Sequence, residues 1–557
     1  MRTQSRWCNG ISQPGSRLPG SLLWHAWVGS RIQRPQRLLR VIWLAGCSLL
    51  LMVTTATAEV KLPAVIGDNM VLQQGRQVAI WGTAEAGEQV AVSLGEQKQV
   101  ATADSKGLWK VQLEPLKAGG PWEMTVAGRN TITIHNVLVG EVWVCSGQSN
   151  MQMAVTNSQK AWGGVLNADK EAAAGNYPLI HLFTVQRAVA GRPQTDVQGQ
   201  WVVAAPQTVG EFSAVGYFFG RDLHRAIKTP VGMIATSWGG TPAEAWMSDA
   251  ALDADPDLKI LADSWRQKIA EYPQVFEKYE QQLAEWEKSA EEAQADGKVA
   301  PAIPSAPGDP RSNPWRAAGL WNAMAAPLTP YAIAGAIWYQ GEANAEFAYQ
   351  YRKTFATMIQ DWRRAWNEGD FPFLFVQLAS FSQEYAPADS WAVVRESQAK
   401  TLALPKTGLA VATDIGDSHD IHPKNKQEVG RRLALVAEAI AYGRKVEYSG
   451  PTFKSMQVEK GTLRLQFEHL GGGLVVRGAT LLGFQIAGQD QKFVAAEAKI
   501  EGKEVVISSP HVPSPVAARY AWADDPKCNL YNQVGLPAPP FRSDDWPVPT
   551  EGQVRQK

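Results

Sequence analysis

The spacing of apolar residues changes twice along this chain. Between residues 59 and 138, short runs alternate apolar and polar positions, at 77–81, 89–94, 109–113, 122–126 and 131–137. Gly, Asp and Asn lie between them. A period of two is that of a strand with one face buried, and five such runs in eighty residues predict a small β-sandwich. From residue 139 the runs become continuously apolar, at 141–145, 231–236, 333–339, 372–378 and 408–413, with helix-length stretches between. Strands buried on both faces and spaced by helices predict a mainly parallel α/β sheet over 139–443. Four of these five strands end in a polar or glycine-rich turn.

Residues 254–316 interrupt that rhythm. Leu258, Leu261, Trp265 and Ile269 keep helical spacing, as do Phe276, Tyr279, Leu283 and Trp286, and Pro273 lies between the sets. The pattern predicts an inserted helical hairpin broken at the proline, followed by a Pro-rich return over 301–314. Beyond residue 443 alternation resumes at 463–467, 474–476, 483–486, 503–508 and 517–522, so 444–557 reads as a second β-rich region. The last ten or so residues are expected to fray.

Composition adds bounds. With 557 residues the chain exceeds one core, and 45% hydrophobic against 19% charged residues is ordinary for globular domains. Residues 1–58 carry seven Arg and no Lys, Asp or Glu. Arg34, Arg37 and Arg40 precede an apolar run over 41–53, and Ala56-Thr57-Ala58 supplies a small-x-small cleavage site. This predicts a signal segment, cleavage after Ala58, and a periplasmic or secreted protein. Leu44-Ala45-Gly46-Cys47 offers a weaker, lipoprotein-like alternative. Without the leader the formal charge is 47 − 54 = −7, which favours neither nucleic acid nor an anionic membrane as partner. Only Cys145 and Cys528 follow the leader, too few for a disulfide framework.

The strand-end turns carry the candidate chemistry. Gly147-Gln148-Ser149-Asn150 follows an apolar strand and presents Ser149 where open α/β sheets place reactive groups. Ser237-Trp-Gly-Gly-Thr-Pro242 contains Gly239 and Gly240, whose backbone N–H groups suit an oxyanion. Trp338-Tyr-Gln-Gly-Glu-Ala-Asn344 gathers Gln340, Glu342 and Asn344 after another strand. Asp414-Ile-Gly-Asp-Ser-His-Asp-Ile-His-Pro423 holds two of the eight His and three Asp. A serine nucleophile needs a histidine base oriented by a carboxylate, and His422 with Asp420 two residues earlier supplies both. His419 and His422 as a metal pair is the competing reading, without further ligands at convincing spacing.

In that order, Cys145-Ser-Gly-Gln-Ser-Asn-Met151, Ser237-Trp-Gly-Gly-Thr-Pro242, Trp338-Tyr-Gln-Gly-Glu-Ala-Asn344 and Asp420-Ile-His-Pro-Lys-Asn-Lys426 resemble the sialate O-acetylesterase family, a branch of the SGNH hydrolases. The resemblance covers nearly all of the chain after the leader. It implies an SGNH-like parallel sheet flanked by helices, with β domains before and after it. It implies a serine carbohydrate esterase that removes O-acetyl groups from glycans, needing neither metal nor cofactor. Residue by residue, it implies Ser149 as nucleophile, His422 as base, and the Ser149 N–H, the Gly240 N–H and Asn344 as oxyanion hole. The superfamily's acid position, three residues before the base, is His419 here. Asp420 is therefore the preferred acid, with Asp417 and Asp414 behind it. Gln148, Gln340, Glu342 and Asp417 are further candidate contacts. The motifs do not separate sialic acid from acetylated xylan or xyloglucan as substrate. A non-catalytic carbohydrate-binding protein on a hydrolase scaffold is the reading from another class.

Overall fold

A computed structural model describes residues 59–156 and 163–555. The leader, its cleavage site and the lipoprotein-like box lie outside the described residues.

The N-terminal region is β-structured, as its alternation predicts. In the strand Leu108–Leu113 only Trp109, Val111 and Leu113 are buried. Strands at Val71–Gln73 and Gln97–Thr102 are additional to the expected set. The last strand of this region, β1 (Thr131–Gly147), does not stop at residue 138. It runs for 17 residues, alternating in its first part and wholly buried from Val137 onward. Its first part pairs antiparallel with Gly119–Ala127, and its second part is the middle strand of the α/β sheet. The change of pattern near 138 thus marks a strand passing from one-sided to two-sided burial, not a linker.

The other strands of that sheet are β2 (Tyr177–Thr184), β3 (Trp201–Ala204), β4 (Val231–Ser237), β5 (Gly335–Tyr339), β6 (Phe373–Val376) and β7 (Thr407–Ala410). Their order is β7-β6-β5-β1-β4-β2-β3, parallel throughout except for the β2–β3 edge pair. β2 and β3 were not anticipated from the sequence. Gly147 at the end of β1 is level with Ser237 of β4 and Tyr339 of β5, so three motif-bearing turns leave the sheet side by side. Trp143 on one face of β1 packs on Phe219 of helix α2 (Ala214–Ile227), following the short α1 (Ser149–Gln152). Trp338, on the opposite face, packs among Phe355 and Trp362 of α4 (Ala348–Trp366).

The insertion contains a single helix, α3 (Pro256–Ala295), of 40 residues that passes through Pro273. The expected hairpin is therefore wrong. The apolar stripe explains it: Ile269, Tyr272 and Phe276 keep steps of three and four across the proline, so the helical phase never breaks. The missing N–H costs about 3 kcal/mol, and the Pro-rich return offsets part of this by lying along the helix, where the Trp286 indole donates to the Pro301 carbonyl (2.8 Å).

After β6 come α5 (Ser390–Lys400) and, after β7, α6 (Lys426–Ile440). α6 crosses α2 closely, for a Cβ on Gly430 would lie 2.5 Å from the Phe218 Cβ. The C-terminal region is β-structured with its own apolar cluster, including Leu463, Leu465, Ile486, Val505 and Ile507. Buried Arg395 of α5 fastens it to the sheet by donating to the carbonyls of Leu378, Ala379, Ala523 and Asp524. The final described stretch is docked rather than frayed: Val548 and Thr550 are buried, and Thr550 Oγ1 accepts the Tyr349 N–H (3.0 Å). Cys145 and Cys528 are both free thiols. No helix among the described residues is long and apolar enough to cross a membrane.

Candidate active site

Ser149 opens α1 immediately beyond β1. The chain can turn there because Gly147 adopts φ +138° and because a Cβ at that position would meet the Tyr339 carbonyl oxygen at 2.2 Å. The Gln148 N–H donates to that same carbonyl (3.0 Å), locking the serine turn against the end of β5. As the first residue of a helix, Ser149 has a backbone N–H without an intrahelical acceptor. On the other side, β4 runs into Trp238, whose N–H donates to the Gly147 carbonyl (3.1 Å). A Cβ on Gly239 would stand 3.2 Å from the Ser149 Cβ. Of the two glycines there, Gly239 has a spent N–H, donated to Gln152 Oε1 (2.7 Å). The Gly240 N–H has no acceptor among the described residues.

Asn344 lies in a 3-10 turn, Glu342–Phe347, after β5. Its Oδ1 accepts from Gln340 Nε2 (2.7 Å) and the Ala243 N–H (3.0 Å), and its Nδ2 donates once, to Glu244 Oε2 (3.0 Å). These contacts fix the amide's orientation and leave one N–H uncommitted. Gln148, Gln340 and Glu342, entertained above as substrate contacts, are at most 3% exposed. Gln148 Oε1 accepts the Ala343 N–H (3.1 Å), Gln340 orients Asn344, and Glu342 Oε1 accepts from Asn150 Nδ2 (2.6 Å). All three hold the site together from inside.

Asn150 is the junction that sequence reasoning passed over. Besides Glu342, its Nδ2 donates to the Ile421 carbonyl (2.9 Å), and its Oδ1 accepts from Lys426 Nζ (2.5 Å). The residue after the serine is thereby bonded to the residue before His422. The helix that follows does not start at Pro423, although proline suits a helix's first position. It starts at Lys426 with Asn425 as its cap, Oδ1 accepting the Glu428 N–H, so His422 stays on a loop.

His422 Nδ1 lies 3.7 Å from Asp420 Oδ1, and that oxygen also accepts the His422 backbone N–H (2.8 Å). Burial, then the Lys426 cation, pull the imidazole down to about 4 against the pull of Asp420, with Lys424 adding slightly. His422 is thus neutral, the form that accepts a proton. The other two candidate acids are elsewhere. Asp414 is locked between both arms of Arg432 (2.6 and 2.8 Å) and the Tyr531 hydroxyl (3.0 Å). Asp417 is exposed and accepts the His419 N–H. His419 is exposed as well. Burial also raises Glu342 and lowers Lys426 to about 7, each partly held back by the other's charge.

Of the four tryptophans flanking the motifs, Trp143, Trp246 and Trp338 are fully buried and belong to the core. Only Trp238 keeps an exposed part, with the Arg187 guanidinium 5.6 Å above its ring.

A strand-end hydroxyl, N–H groups left over on neighbouring turns and a neutral imidazole on the adjoining loop suit the chemistry of acyl transfer, and the class is that of an esterase on an α/β sheet. Comparison with known proteins narrows it. The family profile described as carbohydrate esterase, sialic acid-specific acetylesterase, matches residues 139–438. The chain is 31% identical over 534 residues to a sialate O-acetylesterase of Homo sapiens, covering 86% of this chain and 92% of that protein. It is 30% identical over 533 residues to that of Mus musculus, covering 86% and 94%. A crystal structure of a carbohydrate acetylesterase from Xanthomonas citri superposes with a TM-score of 0.73 at 36% identity, covering 87% of this chain and all of the other. The chain belongs to this family of carbohydrate esterases, and it is an O-acetyl-removing carboxylic ester hydrolase rather than a non-catalytic binding protein.

Proposed function

We propose that Ser149 is the nucleophile, His422 the general base and Asp420 the acid that orients it. His422 Nε2 takes the hydroxyl proton as Ser149 Oγ bonds to the acetyl carbonyl carbon. Asp420 holds the Nδ1–H side of the ring. The oxyanion formed is received by the Ser149 N–H, the Gly240 N–H and the uncommitted Asn344 N–H. Collapse expels the sugar hydroxyl, which regains the proton from His422 and leaves an acetyl-serine. A water deprotonated by His422 then bonds to the acetyl carbon, and His422 returns the proton to Ser149 Oγ as acetate leaves. The observation that carries this reading is the Asn150 bridge to Ile421, which draws the serine turn and the histidine loop together.

As substrate we infer the O-acetyl esters of sialic acids, the substrate named for the mammalian relatives. Arg187 supports a carboxylate-bearing sugar. Just beyond β2 the Val185 N–H still donates to the Ala235 carbonyl (2.9 Å), so Arg187 emerges beside Trp238 at the end of the sheet where β4 meets the serine turn. Stacked on the indole and without an ion-pair partner among the described residues, its N–H fork suits a carboxylate. The leader supports export, to the periplasm or beyond.

Ser149→Ala should abolish hydrolysis of a chromogenic acetate ester; unchanged turnover would end the serine mechanism. Arg187→Ala should raise KM for O-acetylated sialic acid about tenfold while sparing acetylated xylan and xyloglucan fragments. Preference for those neutral fragments by the unaltered enzyme would overturn the sialate reading.

A further inference from the structure

Glu244 is 2% exposed and sits in the turn after Gly240. A buried carboxylate is tolerable only when paired, and both its oxygens are in use. Oε2 accepts from Asn344 Nδ2 (3.0 Å). Oε1 accepts from Nη1 of Arg555 (2.7 Å), 311 positions further along the chain. The same guanidinium donates through Nη2 to the carbonyl of Ala343 (2.6 Å), the residue before Asn344. The rings of Phe347 and Trp315 flank it at 5.2 and 5.4 Å. Its backbone is also held, the Arg555 N–H donating to Gln350 Oε1 (3.3 Å). One arginine therefore grips the two backbone turns between which the Asn344 amide is strung.

We infer that Arg555 is a positioning residue for ester hydrolysis, holding Glu244 and Ala343 so that the free Asn344 N–H points at the developing oxyanion. The inference rests on the oxyanion role proposed for Asn344. Without Arg555, Glu244 is left as a buried charge satisfied only by Asn344. It then draws in water to satisfy the freed oxygen and stops fixing the amide. A donor displaced by a fraction of an ångström loses more in the transition state than in the ground state, so the effect falls on kcat.

The test compares four full-length variants on a chromogenic acetate ester. Arg555→Ala should lower kcat about 10- to 100-fold with KM nearly unchanged, less than outright removal of an oxyanion donor. Arg555→Lys, which keeps a charge for Glu244, should fall less. Glu244→Gln combined with Arg555→Ala should recover most of the loss, because no charge is stranded and the Gln carbonyl still accepts from Asn344. Recovery by the double variant also applies if Arg555→Ala alone fails to fold. Wild-type kcat in folded Arg555→Ala, or a double variant no better than the single, overturns the inference. Asn344→Ala is the separating control: if it is as active as wild type, the oxyanion assignment itself has failed.

Discussion

Lys426 offers the sharpest test of the electrostatics around His422. Its ammonium is fully buried, bonded to Asn150 Oδ1 and lying 5.2 Å from the Tyr339 ring centre. Replacing it with Met keeps the bulk and removes the charge. His422 stands at about 4, well below the usual imidazole value; the largest cause is burial and the second is Lys426, opposed by Asp420 and aided by Lys424. Lys426, lowered to about 7, is still charged over the whole pH range in which His422 titrates. Deleting the charge returns part of the depression, roughly one unit or about 1.4 kcal/mol, while burial retains the rest. In the proposed mechanism the neutral imidazole is the active form, so a higher pKa moves the loss of activity to higher pH. The acid limb of kcat/KM should shift from near 4 to about 5. The assay is kcat/KM for a neutral acetate ester across that range, with circular dichroism confirming the fold at each pH. An acid limb that stays near 4 in an active, folded Lys426→Met protein, or moves lower, would refute the assignment of His422 as base or of Lys426 as its perturbing charge.

The same depression bears on stability. Between pH 4 and 6.5 the unfolded chain binds a proton at His422 that the folded chain refuses, so stability rises with pH across that window. His422→Gln should therefore raise stability at pH 5 by up to about 2 kcal/mol, visible as a higher Tm than wild type at pH 5 and not at pH 7.5; equal offsets at both would sink the argument. Asp414→Asn should cost about 3 kcal/mol in urea denaturation, since it breaks the buried pair with Arg432, whereas Asp420→Asn should leave the fold intact and cut kcat at least about 100-fold. The reverse pattern would exchange their roles. Trp238→Ala should raise KM with little change in Tm, whereas Trp338→Ala should destabilise by about 3–5 kcal/mol; wild-type KM in Trp238→Ala would remove the indole from the substrate path.

The fold was legible wherever burial imposes a simple period. Leu108–Leu113 alternates because only one face meets the core, and Val231–Ser237 is uniformly buried because both faces are covered. It was misread where one local rule was given too much weight. Proline is a helix breaker by local rule, yet at Pro273 a single lost hydrogen bond in a 40-residue helix is outweighed by an apolar stripe that stays in phase. The change of pattern near 138 falls inside one strand, which serves two sheets in succession. The edge strands β2 and β3 gave weaker signals, since Tyr177–Thr184 is exposed at Pro178 and Leu179 and buried only from Ile180 to Phe183.

At the site, short motifs marked residues that sit at strand ends, because parallel strands with a common register bring their following turns together. What the motifs left unsaid is which polar side chains face the ligand and which face each other. Gln148, Gln340 and Glu342 have the composition of substrate contacts, yet each is spent on a neighbouring turn. Asn150 and Lys426 lay inside the quoted motifs, but their bond spans 276 residues. Nothing in the local sequence around Arg555 points to a site more than two hundred residues earlier. Pairing of this kind is a property of the folded interior. A buried Lys426, Glu342 and Glu244 are costly unless matched, and the match is made by whichever part of the chain the fold delivers. That three such groups crowd the turns around Ser149 is itself informative: they make each turn's position depend on the others. A serine, a glycine N–H, an amide and an imidazole drawn from four separate turns can act on one ester only if those turns move as a unit. Double variants among Asn150, Glu342 and Lys426 should therefore be strongly non-additive in kcat. Independent effects would mean that the turns are held by the sheet alone.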